Sequence, residues 1–161
     1  MQLSEEDKFF LREAIKLARE GMHSDLGGPF GAVVVRDGKI IGKGSNQVAS
    51  TNDPTAHAEI TAIRDACKNI GAFQLEDCTI YTSCEPCPMC LGAIFWSRPV
   101  RVVYAATQMD AETIAGFDDH FIYEQIDIPA EERKIPAVQG LREEGQEVFR
   151  EWQEKDDKIV Y

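Results

Sequence analysis

Residues 79–97 read TIYTSCEPCPMCLGAIFWS and contain three cysteines, Cys84, Cys87 and Cys90, spaced three apart. The first five residues are rich in β-branched and aromatic side chains, which favours a strand. The last seven are mostly apolar and predict a helix, which ends at Arg98-Pro99 because the residue before a proline disfavours helical geometry. The stretch therefore predicts a strand, a turn and a helix, with the cysteines gathered where the strand ends.

The flanking sequence predicts a mixed α/β fold. Ser4 begins an expected helix that stops at Gly21, and a second helix is expected from a cap at Asp53, through Pro54 as its first residue, to Gly71. Because the strands begin as a hairpin and then alternate with helices, we expect a mixed sheet with helices on its faces. Further strands are expected at 32–35, 39–44 and 100–106, with a hairpin turn at Asp37-Gly38. Whether residues 72–78 add another strand stays open.

Beyond residue 107 the periodicity weakens, and it returns only near the C-terminus. Residues 143–158 predict a helix on which Val148, Phe149 and Trp152 form an apolar stripe. Such a stripe is more often a docking face than part of a cofactor site.

Composition restricts the function. The 161 residues carry a net charge of −11 with a pI near 4.7, so an anionic partner such as nucleic acid or a membrane surface would be repelled. The apolar runs are too short to span a bilayer, and the acidic N-terminus does not resemble a secretory signal, which predicts a cytoplasmic protein. Five cysteines in such a chain do not predict disulfides. A small neutral ligand fits the charge better than nucleic acid does.

The cysteine cluster predicts a metal site of one of two kinds. Cys84, Cys87 and Cys90 with one of the three histidines would complete a sealed structural zinc site, and C-x-x-C-x-x-C alone is also compatible with an iron–sulfur cluster. Three protein ligands would instead leave an open, reactive position. His57 favours the second kind, because it stands in His-Ala-Glu at the front of a predicted helix.

The two motifs together match a known signature. His57-Ala58-Glu59 followed by Pro86-Cys87-Pro88-Met89-Cys90 corresponds to H-x-E and P-C-x-x-C of the zinc nucleobase deaminases. Cys87 and Cys90 share one face of a first helical turn, where the helix dipole favours thiolates. We therefore predict that His57, Cys87 and Cys90 bind zinc, that Glu59 moves protons, and that Cys84 is not a ligand.

This spacing also constrains the geometry. Residues two apart on a regular helix point to opposite sides, so His57 and Glu59 converge only if the metal lies off the helix N-terminus. We therefore expect both motif helices to point their N-termini at the site. Glu59 has an alternative role as an acid that stabilises a first turn.

Longer segments carry a family resemblance. NDPTAHAEITAIR and TSCEPCPMCLGAI resemble the cytidine-deaminase superfamily, and GGPFGAVVV, AGFDD at 115–119 and the terminal KIVY resemble its small bacterial guanine deaminases. The resemblance implies a three-layer α/β/α sandwich with a mixed sheet of about five strands. It also implies hydrolysis of guanine to xanthine and ammonia, with one Zn²⁺ per subunit. Residues 1–161 would form a single domain, in a homodimer whose C-terminal segment, from roughly residue 140, can cross to the partner.

The resemblance further assigns substrate-binding roles. Asn46 would hydrogen-bond the purine, Phe30 would stack on it, and Ala58 would line the pocket. Phe117 and Asp119 would close the pocket, Asp119 as a catalytic acid, with Asp118 as the alternative acid. Tyr161 would cap the pocket with its hydroxyl or terminal carboxylate. From the residues alone, a turn-forming role for Asn46 has nearly as much support as purine binding. Phe30 could simply be a core residue.

Four alternative functions stay open. A tRNA adenosine deaminase shares PTAHAE and the PCxxC helix, but its substrate calls for phosphate contacts that the acidic charge disfavours. A guanosine deaminase is harder to exclude, because a ribose adds little charge. Cytosine-type substrates explain AGFDD less well. A binding module without turnover would use Cys84 as the fourth ligand of a structural zinc.

Overall fold

The computed structural model describes residues 2–161, which divide into two compact units, one ending at Asp119 and the other comprising His120–Tyr161. Among these residues no helix is long and apolar enough to cross a membrane. The elements of the first unit are α1 (Glu5–His23), β1 (Gly31–Arg36), β2 (Lys39–Ser45), α2 (Val48–Thr51), α3 (Ala58–Ile70), β3 (Thr79–Cys84), α4 (Pro88–Ser97), β4 (Arg101–Ala106) and α5 (Gln108–Ala115). The second unit contains α6 (His120–Ile126), a 3₁₀ turn (Ala130–Glu132) and α7 (Arg142–Glu154).

The first unit is built on a four-stranded mixed sheet in the order β2-β1-β3-β4. β1 is antiparallel to both β2 and β3, whereas β3 and β4 are parallel. The α/β class and the mixed sheet confirm the prediction, although the sheet has four strands rather than about five. Residues 72–78 form an irregular segment with a turn at 76–77 instead of a strand, because the Leu75 N–H donates to the Ser97 carbonyl and the Cys78 N–H to that of Leu75.

Alternate side chains of β1 pack against different helices, on opposite faces of the sheet. Ala32 and Val34 face α3, whereas Val33 and Val35 pack with Phe10 and other residues of α1. Successive strand residues point to opposite faces of a sheet, so a continuous apolar run is buried on both sides. The first unit therefore has the three layers that the sequence predicts.

The start of α3 lies close to β2. A Cβ at Gly44 would fall 2.2 Å from the Ala58 carbonyl oxygen, so only glycine allows this approach. The helix begins at Ala58 with His57 as its N-cap, which corrects the predicted cap at Asp53 and first residue at Pro54. The Asp53 carboxylate instead accepts hydrogen bonds from the backbone N–H and hydroxyl of Thr55, 2.8 and 2.7 Å away, which holds a turn. The predicted end at Gly71 is confirmed.

A buried acid joins the other helical layer to the sheet. Ser4 caps α1 as predicted, and the helix continues past Gly21 to His23. Asp7 of α1 accepts a 2.9 Å hydrogen bond from the Tyr81 hydroxyl and pairs with Arg101. The Ser4 backbone N–H, with smaller contributions from Tyr81 and Arg101, lowers the pKa of Asp7 to about 2 although burial opposes this.

Candidate metal centre and active site

Two helix N-termini and the end of a strand meet at the candidate site. His57 is the N-cap of α3, Cys87 is the N-cap of α4, and Cys90 lies in the first turn of α4. Neither N-cap side chain bonds to its own helix backbone, so both are available to a ligand. Because exposed N–H groups and the positive end of the dipole lie there, both termini favour anionic thiolates.

The three predicted ligands have the separations that zinc requires. His57 Nδ1 lies 3.6 Å from Cys87 Sγ and 3.5 Å from Cys90 Sγ. Zinc bonds of about 2.3 Å to sulfur and 2.0–2.1 Å to nitrogen at a tetrahedral angle would separate these atoms by about 3.6 Å. Among residues 2–161 this is also the one group of three or more His, Cys, Asp or Glu side chains whose ligand atoms gather, all within 4.8 Å. Nδ1 is therefore the histidine atom that faces the metal position.

Mutual hydrogen bonds shift the pKa values of all three side chains of the cluster. Hydrogen bonding from Cys90, together with His57, lowers the pKa of Cys87 to about 4, which makes this sulfur a thiolate at neutral pH. The bond to Cys87, with burial, raises the pKa of Cys90. The same Cys87 thiolate raises the pKa of His57. Thiolate and imidazole are the ligand types that zinc prefers.

Cys84 lies outside this group. Its thiol donates to the Thr107 carbonyl at 3.4 Å, and burial, followed by the Glu59 charge, raises its pKa to about 11. Because this thiol bonds to a backbone carbonyl and its sulfur is not among the gathered ligand atoms, Cys84 is not placed as a zinc ligand. The geometry thus supports three ligands and an open fourth position.

Glu59 lies beside the cluster in the first turn of α3, where it is buried. Burial raises the pKa of its carboxyl, and the negative charge of Cys87 acts in the same direction. A carboxyl in such a place is suited to exchanging protons near neutral pH. Its position agrees with the prediction that His57 and Glu59 converge off the helix end.

Two aromatic side chains and one amide of the first unit form a second group of contacts. The rings of Phe30 and Phe117 meet edge to face, with centroids 4.9 Å apart. Gly28 approaches both rings, and its backbone N–H donates to the Asn46 side-chain oxygen at 3.1 Å. Asn46 is buried, and its backbone N–H donates to the Phe30 carbonyl at 3.0 Å. Phe30, Phe117 and Asn46 thus belong to one local assembly.

The remaining predicted site residues have different surroundings. Burial and the Cys87 charge raise the pKa of Asp119, so this carboxyl interacts with the charge of the cluster. Asp118 is exposed. Ala58 is fully buried at the start of α3. Tyr161 belongs to the second unit, and its side chain is exposed. The structure therefore gathers the zinc ligands and Glu59, and the roles assigned to the other residues stay predictions.

Sequence reasoning missed the backbone groups that hold Asn46. Besides Gly28, the Val48 N–H donates to the Asn46 oxygen at 3.2 Å. The available sequence signal was the pair Gly27-Gly28, at the start of the GGPFGAVVV segment.

Comparison with known proteins identifies the family. Residues 4–106 match the cytidine and deoxycytidylate deaminase zinc-binding region. The chain belongs to the cytidine and deoxycytidylate deaminase family. Within this deaminase family it is 59% identical over 152 residues to guanine deaminase from Bacillus subtilis, which covers 94% of this chain and 97% of that protein.

One solved structure and one further relative extend this comparison. A crystal structure of guanine deaminase from Bacillus subtilis superposes with a TM-score of 0.93 at 56% identity, covering 99% of both chains. The tRNA-specific adenosine deaminase of Haemophilus influenzae is 43% identical over 123 residues, which covers 73% of this chain and 70% of that one. The zinc-binding family and the gathered ligands together establish zinc as the cofactor.

Proposed function

We propose that this chain is a zinc-dependent guanine deaminase, which hydrolyses guanine to xanthine and ammonia. The observation that carries this proposal is the similarity to Bacillus subtilis guanine deaminase along nearly the full length of both chains. The cluster of His57, Cys87 and Cys90 supplies the chemical basis for hydrolysis.

His57, Cys87 and Cys90 would hold one zinc ion per subunit. With three protein ligands, zinc keeps an open position and supplies an activated water at neutral pH. The N-terminus of α4 holds both cysteines and that of α3 holds His57, so the ligands need no rearrangement before substrate arrives.

Glu59 would move the protons of the reaction. Its carboxylate would accept a proton from the attacking water and donate it to the amino nitrogen on C2 of guanine. The C2–N bond then breaks, and the nitrogen leaves as ammonia while the oxygen stays on the product xanthine. The buried position of Glu59 in the first turn of α3 supports this role.

Five residues of the first unit would bind the base. Phe30 would stack on the purine, Phe117 would close over it, and Ala58 would line the pocket. Asn46 would donate a hydrogen bond to the purine. Asp119 would accept from the amino and ring N–H groups of guanine, and its electrostatic coupling to Cys87 favours it over Asp118.

We further infer a homodimer in which the C-terminal segment, 140–161, crosses to the partner so that Tyr161 caps the partner's site. The polypeptide of 1–161 would then act as a single deaminase domain. Val148, Phe149 and Trp152 of α7 are exposed, which supports a docking role for this stripe. All five cysteines are free thiols, which agrees with a cytoplasmic location.

The test is ammonia release from guanine by purified, zinc-loaded protein, with guanosine and adenosine measured in parallel. Release from guanine alone supports the proposal. Release from guanosine alone keeps the hydrolytic mechanism but overturns the substrate. No release from any of the three, with zinc bound, overturns the enzyme assignment.

The alternative substrates and functions have less support. The net charge of −11 disfavours a tRNA substrate, whose phosphates call for basic contacts. A sealed structural zinc would need a fourth ligand, and the Cys84 thiol bonds to Thr107 instead.

A further inference from the structure

The Asn46 carboxamide is held by two backbone donors, one in the loop before β1 and one at the start of α2. Its Oδ1 accepts the Gly28 N–H at 3.1 Å and the Val48 N–H at 3.2 Å. Backbone N–H groups only donate, so they fix which end of the amide is oxygen. The buried side chain therefore has one orientation.

These two bonds fix the polarity of the side chain. A carbonyl oxygen has two lone pairs, and both are used by Gly28 and Val48. The amide can therefore offer only its Nδ2 N–H donors to a ligand. Toward a ligand, the Asn46 side chain can therefore only donate hydrogen bonds and cannot accept them.

The missing side chain of Gly27 provides the space that the Asn46 amide occupies. A Cβ at this position would fall 2.2 Å from Asn46 Oδ1 and 2.7 Å from the Asn46 carbonyl oxygen. Any other residue would displace the carboxamide or the backbone behind it. The glycine pair is thus fitted to Asn46.

The backbone at Asn46 and Gln47 is tied to the segment that precedes the metal ligand His57 and to an aromatic residue. The Gln47 N–H donates to the Ala56 carbonyl at 2.9 Å, one residue before the ligand His57. The Asn46 N–H donates to the Phe30 carbonyl at 3.0 Å. Backbone hydrogen bonds therefore fix the position of Asn46 relative to both groups.

We propose that Gly27 and Gly28 are positioning residues that hold Asn46 as an obligate hydrogen-bond donor to an acceptor atom of the purine. This inference rests on the proposed function. A base that presents an N–H group at that position leaves two donors facing each other, and the site would reject it. The glycine pair would thereby contribute to substrate choice without touching the substrate.

The decisive comparison is between Asn46→Asp and Asn46→Ala, assayed with guanine. Aspartate keeps an oxygen for Gly28 and Val48 but replaces the donor by a second acceptor, whereas alanine removes both. We expect Asn46→Asp to stay folded, with a lower melting temperature because it buries a charge, and to lower kcat/KM by about a hundredfold or more, at least as far as Asn46→Ala does. Near wild-type activity of Asn46→Asp would show that Asn46 only joins the loops, and would overturn the proposal.

The positioning role of Gly27 is tested by a double-mutant cycle. Gly27→Ala should lower kcat/KM about tenfold in the wild-type background and have little further effect in Asn46→Ala. Its effect on melting temperature should be similar in both backgrounds, because the clash with the Asn46 backbone remains. Equal losses of kcat/KM in the two backgrounds would overturn the positioning role.

Gly42→Ala is the matched control for strain. Its Cβ would fall 2.5 Å from the Ala62 carbonyl oxygen, and it faces α3 rather than Asn46. It should lower the melting temperature while the folded enzyme keeps its kcat/KM. A wild-type protein that releases no ammonia from guanine refutes the proposed function; an active wild type with an active Asn46→Asp refutes only this inference.

Discussion

The two units of this chain differ in how their apolar residues are used. The first unit buries two clusters of side chains, one on each face of its sheet. In the second unit, residues 120–161, no residue is buried, and α7 leaves Phe149 73% exposed. A segment that buries so little apolar surface gains little free energy to offset the conformational entropy that it loses on folding. The first unit therefore has the properties of a preorganised site, and the exposed apolar residues of the second unit are those on which the proposed dimer depends.

The largest expected effect tests the preorganised site. Glu59→Gln preserves shape but removes the proton acceptor, so we expect kcat for guanine to fall by about a thousandfold. Zinc content, measured by atomic absorption, should stay at one ion per subunit because His57, Cys87 and Cys90 are intact. Loss of zinc from this variant would mean that Glu59 supports the metal rather than the chemistry.

The second prediction tests the association of the other unit. Phe149→Glu places a charge on the exposed stripe of α7, and we expect the dimer dissociation constant to rise by about a hundredfold. Sedimentation at several concentrations measures this, together with guanine turnover. Glu154→Gln, on the opposite side of the helix, is the control and should change neither. An unchanged dimer in Phe149→Glu would argue against the stripe as a docking face.

A third, smaller effect tests the core of the first unit away from its site. Asp7→Asn removes the charge that pairs with Arg101 and accepts from Tyr81, which should lower stability by about 1–3 kcal/mol. The pKa of Asp7 is about 2 in the folded protein against an ordinary 3.8, so its contribution is present above about pH 4 and is lost as pH falls toward 2.

The difference in urea midpoint between wild type and Asp7→Asn should therefore narrow between pH 5 and pH 3. Turnover of guanine at neutral pH should be unaffected in the folded variant. A difference that stays constant over this pH range would mean that the Asp7 charge does not stabilise the fold.

The smallest expected effect concerns Cys84. Cys84→Ser should keep zinc content, and guanine turnover should stay within about twofold of wild type, because the hydroxyl can still donate to Thr107. Zinc content and ammonia release measure this directly. Loss of the metal would make Cys84 a fourth ligand and the site a sealed one.

Sequence patterns predicted the site better than its surroundings. Residues 79–97 form the expected strand, turn and helix, because β-branched composition and the Arg98-Pro99 break act locally. The spacing of His57, Cys87 and Cys90 likewise identified the cluster that the fold gathers. Local signals of this kind depend little on the rest of the chain.

The helix boundaries that were predicted wrongly depend on which hydrogen-bond and packing partners a residue finds in the folded chain. Asp53 has the composition of a helix cap, but its carboxylate bonds to Thr55 and the helix starts four residues beyond Pro54. Gly21 resembles a helix stop, whereas its lack of a side chain instead allows α1 to approach Ser45. The orientation of Asn46 depends on Gly28, eighteen residues away, and no local pattern contains that information.

The distance along the chain between His57 and Cys90 has a further consequence. These residues are 33 apart in sequence and enclose α3, β3 and the first turn of α4. An ion bound to both would act as a cross-link, and closing a loop of this length restricts the unfolded chain by about 3–4 kcal/mol in the chain-entropy treatment of disulfides. The catalytic metal would therefore also stabilise the folded chain. Unfolding would release the metal, and removal of the metal would make unfolding easier.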